Sequence, residues 1–109
     1  MATVEDFKKL DLRVGRIVAA EPFPEARKPA YRLRIDFGPL GERTSSAQLT
    51  RRYQAEDLVG RLCVAVVNFP PRQVGSVRSE VLVLGGVPEQ GDVVLLQPAE
   101  DVAPGTPIA

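Results

Sequence analysis

The residues that could do chemistry in this chain are mostly cations, and they fall in a few short stretches. In NFPPRQVGSVRSEVLVLGG, residues 68–86, Asn68 and Phe69 lead through two prolines to Arg72, then Arg78, Ser79 and Glu80, before the run turns to valines and leucines. A guanidinium offers a planar fork of donors that suits a phosphate, a carboxylate or a peptide carbonyl. The competing reading pairs Arg78 with Glu80, two apart on one strand face. Phe69, and Phe23 in the earlier Pro-rich segment, either stack on a base or line an apolar pocket, or else belong to the core. Arg27 and Lys28 form a second cationic pair in PFPEARKPA, with Glu25 beside them as the internal alternative. Arg32 and Arg34 alternate with the apolar residues of YRLRIDF and point away from them. Arg51 and Arg52 open a helical stretch, where the helix dipole disfavours cations, so they invite an anion or a partner or stand as a solvated pair.

Catalysis has little to work with. The chain has no histidine and a single cysteine, Cys63, so an internal disulfide and histidine-assisted nucleophiles are excluded. Zinc would have to be held almost entirely by carboxylates, which is rare. Cys63 lies in the apolar run RLCVAVVNF and reads as a buried small hydrophobe. LGGVPEQGD is a turn and lacks the strand-then-helix setting of a phosphate-cradling loop. No enzyme activity, cofactor or metal is expected. Net charge is zero, yet the charges are unevenly spread: Arg13 to Arg78 holds twelve basic and six acidic residues, and from Ser79 onward there are five acids and no base. Such asymmetry builds a positive face on a neutral protein, or dissolves into scattered surface ion pairs. Arginines outnumber lysines eleven to three, as in a thermophile or a GC-rich genome.

The elements that must position these residues are mostly strands. At 109 residues, one domain spanning 1–109 is expected. No apolar run is long enough for a membrane span, and MATVEDFKKLDLRVG lacks a secretory layout, so a cytoplasmic location is expected. Thr3 and Asp6 form a capping-box variant for a short N-terminal helical turn, with Val4 and Phe7 on one face. A first strand runs from about Leu12 to Ala20, with a bulge or bend expected at Gly15. The second strand, Tyr31 to Phe37, alternates without fault, and a third spans about Glu42 to Ser46. TRRYQAEDLVG is the central helix, with Leu49, Tyr53 and Leu58 as its apolar edge. RLCVAVVNF is a strand buried on both sides. A loop carrying Arg72 and Arg78 then leads to a strand in EVLVLGG, and a last short strand covers Val93 to Gln97 before a turn-rich tail. Strands broken by glycines, with a short helix between the third and fourth, give an all-β, five-stranded OB-fold barrel.

The segments DFKKLDLRVGRIVAAEPFPEARKPAYRLRIDFG and RRYQAEDLVGRLCVAVVNFPPRQVGSVRSEVLVLGG resemble the two halves of the tRNA-binding OB domain. That domain occurs free or appended to methionyl-tRNA synthetases and to cytokine-like synthetase cofactors. FPEARKPAYRLRIDFG and RSEVLVLGG are most similar to its CsaA-type protein-export chaperone branch, and the resemblance covers about residues 5 to 97. It implies a homodimer completed by N- and C-terminal extensions, binding preproteins or unfolded peptides in concert with the export machinery. For the wider family it implies a free-standing tRNA-binding protein. The loop after the fourth strand departs from the tRNA-binding pattern. Asn68, Pro71, Arg72 and Ser79 are kept, Pro70 and Gln73 stand where lysines would be, and Glu80, Val81 and Leu82 replace Gln, Gly and Met. Fewer cations mean fewer phosphate contacts and weaker tRNA binding, with Arg32, Arg34, Arg51 and Arg52 as partial compensation.

Overall fold

The alternation of YRLRID organises the sheet. In the computed structural model, which describes residues 1–24 and 27–109, Tyr31, Leu33 and Ile35 are buried while Arg32 and Arg34 face solvent. In chain order the elements are α1 (Val4–Lys8), β1 (Leu12–Pro22), β2 (Tyr31–Asp36), β3 (Glu42–Ala47), α2 (Ala55–Leu58), β4 (Leu62–Val66), β5 (Arg72–Val74), β6 (Val77–Ser79), β7 (Leu82–Val83), β8 (Gly85–Gly86) and β9 (Val94–Leu95), with a 3-10 turn at Gly38–Leu40. Five strands form one antiparallel sheet in the order β3-β2-β1-β4-β7. The β3 edge is not left bare. The Glu80 amide donates to the Thr44 carbonyl at 2.8 Å, and the Ser45 hydroxyl donates to the Val81 carbonyl at 3.1 Å. These bonds draw the approach to β7 against β3 and nearly close the sheet into an OB-type barrel. Ile17, Leu33, Ile35, Phe37, Leu49 and Leu58 fill it, with Cys63 also fully buried.

Several expectations change in detail. Gly15 is not the bulge: the β1–β2 register slips between Ile17 and Ala19, so the extra residue is Val18. A side chain at Gly15 would stand 2.5 Å from Ile35 Cγ2 and 2.6 Å from Phe37 Cε1, so the glycine serves core packing. The central helix is only one turn. Arg51 and Arg52 sit in a turn ahead of it rather than on it, although Leu49 and Leu58 are buried as expected and Tyr53 packs against the core. EVLVLGG is split between β7 and β8, and the last strand shrinks to β9. The presumed loop of Arg72 and Arg78 is a hairpin, β5–β6.

The two ends of the chain behave differently. The capping box forms, with the Asp6 amide donating to Thr3 Oγ1 and the Thr3 amide to Asp6 Oδ2, but α1 buries none of its residues. The tail, by contrast, finds its partner on its own chain. The Val14 amide donates to the Thr106 carbonyl at 2.9 Å, the Ile108 amide donates to the Leu12 carbonyl at 3.0 Å, and Ile108 packs on Leu12, Val64 and Val66. Among the described residues no helix is long and apolar enough to cross a membrane.

Candidate functional site

A small apolar cluster brings the first connection and the hairpin together. β5 and β6 turn through Gly75 and Ser76, and Gly75 takes the positive φ of 58° that such a tight turn requires. Val74 and Val77 lie opposite each other and pack with the buried Phe23 and Ala30. Phe23 is therefore core. Side chains alternate along a strand, so Arg72 and Ser79 share the face of Val74 and Val77, while Gln73 and Arg78 occupy the other. The two arginines that the sequence grouped thus point to opposite sides of the hairpin.

On the Arg72 face lies a groove of about 210 Å³. Phe69, Pro70, Val81 and Leu82 give it apolar walls, with Arg72, Ser79 and Glu80 as polar members. Phe69 and Leu82 are 43% and 46% exposed, so the groove is accessible. Its polar residues are held from β3: the Ser46 amide donates to Ser79 Oγ at 3.3 Å, and the Thr44 amide to Glu80 Oε1 at 3.0 Å. Glu80 thus serves the barrel seam. The expected Arg78–Glu80 pair does not form among the described residues. A second depression, of about 240 Å³, is lined by Arg27, Lys28, Ser46, Gln48 and Arg72, so Arg72 borders both. The alternative pairing of Arg27 or Lys28 with Glu25 lies outside the described residues.

The other candidate arginines are occupied within the chain. Arg32 pairs with Glu21 at 3.3 Å, Arg34 with Glu42 at 2.9 Å, and Arg51 with Glu89 at 3.8 Å. Arg52 grips the buried Asp92 through two bonds of 2.7 Å. The hydrogen bond from Arg52 holds the Asp92 carboxyl below its usual range and raises the guanidinium in turn. Asn68 is a latch: the Asp11 amide donates to its Oδ1 and its Nδ2 donates to the Lys9 carbonyl, both at 2.8 Å. It ties the α1–β1 junction to the end of β4. Burial pushes the Cys63 thiol up to about 12, which leaves it protonated and inert.

The barrel thus gathers an apolar groove and a few polar residues at the hairpin. Residues 12–107 match the family described as "Putative tRNA binding domain". The chain is 39% identical over 104 residues to the methionine–tRNA ligase of Porphyromonas gingivalis and 43% identical over 103 residues to one from Sorangium cellulosum, covering 95% and 94% of this chain. It spans only about 15% of the length of these ligases. Among solved structures, the chaperone CsaA from Bacillus anthracis superposes with a TM-score of 0.96 at 62% identity, covering 100% of this chain and 99% of that one. The CsaA chaperone protein of Picrophilus torridus gives 0.92 at 46%, with full coverage of both. The chain belongs to the tRNA-binding-domain family and, within it, to the CsaA type.

Proposed function

We propose that this chain is a peptide-binding chaperone that works in the cytoplasm as a homodimer, holding unfolded preprotein segments for the export machinery, and is not an enzyme. The observation that carries the reading is the accessible groove of Phe69, Pro70, Val81 and Leu82, edged by Arg72 and Ser79. Apolar walls with a few polar groups suit an extended peptide better than a phosphate backbone. The names of the Bacillus anthracis and Picrophilus torridus proteins support it. The internal ion pairs of Arg32, Arg34, Arg51 and Arg52 support it too, since each reduces the cationic surface left for RNA. Support for the dimer comes from the exposed Val4, Phe7 and Leu10 at one end and from Val94 and Leu96. A stable monomer in analytical ultracentrifugation would sink that part of the proposal.

The second reading is a free-standing tRNA-binding protein, favoured by the depression that gathers Arg27, Lys28 and Arg72 and by the family's description. Titrating labelled tRNA and a labelled unfolded preprotein peptide at low and raised salt separates the two. Binding built on phosphates collapses steeply with salt, whereas binding in an apolar groove survives. Peptide binding that persists at raised salt and falls on Leu82→Asp supports the chaperone. Binding of tRNA alone refutes it.

A further inference from the structure

We propose that the groove selects extended peptides in which an apolar residue lies close to acidic ones, and disfavours basic flanks. This rests on the peptide-binding reading above and adds the substrate's charge to it. Among the described residues, Arg27, Lys28, Arg72 and Arg78 carry neither an ion pair nor a side-chain hydrogen bond, whereas eight other cations each hold a carboxylate. Three of these four line one depression. The Phe23–Ala30–Val74–Val77 cluster is what brings them there, by seating the hairpin on the first connection. Like charges held close together are poorly compensated, and a ligand carboxylate relieves that repulsion.

Arg72 is the shared wall. On one side is the apolar groove, with Val81 buried beneath it and Leu82 and Phe69 open to solvent; on the other are Arg27 and Lys28. Glu80, the acid in the groove lining, has Oε1 turned to the Thr44 amide. A ligand that satisfies both sides at once carries an apolar side chain for the groove and, a few residues along, carboxylates for the cations. An extended chain advances about 3.3 Å per residue, so neighbouring sites are met within a short segment. A basic flank would add positive charge to a depression that is already positive. Arg78, on the far face of the hairpin, takes no part.

The test uses the full chain and three labelled peptides of roughly ten residues with one apolar centre and acidic, neutral or basic flanks, read by fluorescence anisotropy. The acidic peptide is expected to bind about tenfold tighter than the neutral one, and the basic one more weakly than either. That preference should shrink with salt, because it is electrostatic. Arg72→Glu should abolish most of the preference for the acidic peptide, and Arg78→Glu should leave it unchanged, with circular dichroism confirming that both variants fold. Equal affinity for all three peptides overturns the inference and leaves the peptide-binding reading standing. Loss of preference in Arg78→Glu as large as in Arg72→Glu overturns the assignment of the face. Binding of tRNA with no binding of any peptide overturns both the inference and the reading beneath it.

Discussion

Asp92 is the charged side chain that the fold buries among the described residues, and Arg52 is its counter-ion. Burying a carboxylate is costly unless it is paired and hydrogen-bonded, so the two 2.7 Å bonds are what make the position tolerable. Because the folded-state pKa lies below the ordinary aspartate value of 3.8, the pair stabilises the fold above that pH and loses its contribution as the pH falls through the folded value. Arg52→Ala should therefore melt well below the wild type at pH 7, and the two should converge as the pH is taken below 4. Thermal melts across that range check it, and a gap that stays constant with pH would show that the pairing is not the source. None of this was legible in the sequence. Arg51 and Arg52 read as a solvated pair or a ligand contact, and neither reading pointed to Asp92, because it lies far along the chain and a contact of that separation leaves no local pattern. Asn68 was singled out for the opposite reason: its place in a recognised loop framework suggested a ligand, yet both ends of its amide are spent on Asp11 and Lys9.

At the scale of elements, what repeats with a period was readable, and what depends on close approach was not. Alternation placed β2 and its faces, and the unbroken apolar run placed β4, whose five residues are all buried. Gly15 shows the limit. A glycine inside a strand signals either a bulge or a tight neighbour, and only the position of Phe37 and Ile35 across the barrel decides. Gly15→Ala should destabilise the domain by about 1–3 kcal/mol, the usual cost of overpacking a filled core, as measured by urea unfolding. A neutral substitution would mean that Phe37 yields easily. The β5–β6 hairpin did have a signal: valines flanking Gly75-Ser76 are a two-residue turn pattern. The prolines and arginines around it masked that pattern, and with it the alternation that sends Arg72 and Arg78 to opposite faces. Of the groove's lining the sequence singled out Phe69, Arg72, Ser79 and Glu80 as site residues but not Pro70, Val81 or Leu82, and its geometry was not legible, because that comes from Phe23 and Ala30 meeting the hairpin.

For the whole molecule, the excess of twelve bases over six acids between Arg13 and Arg78 suggested one positive face. The fold disposes of much of that excess by bringing acids to it. Asp101 reaches Arg16, and Glu89 and Asp92, from the acidic C-terminal segment, reach Arg51 and Arg52. What remains is a small cationic region at the first connection and the hairpin. This sets a bound on nucleic-acid binding. Each phosphate neutralised steepens the dependence of log K on log salt by about 0.7 to 0.9. Among the described residues Arg27, Lys28, Arg72 and Arg78 have no partner, and Arg43 and Arg61 hold no carboxylate, so any tRNA binding should show a slope no steeper than about −5 per chain. A slope steeper than that by about 2 to 3, at known stoichiometry, would mean that RNA pulls Arg32, Arg34 and Arg51 out of their exposed ion pairs. Such pairs are individually weak enough for that to happen. The same titration with an acidic peptide should give a much shallower slope, because a peptide brings only a few charges and the groove's apolar contact does not depend on salt. The two slopes, measured on one preparation, weigh the electrostatic share of each interaction directly.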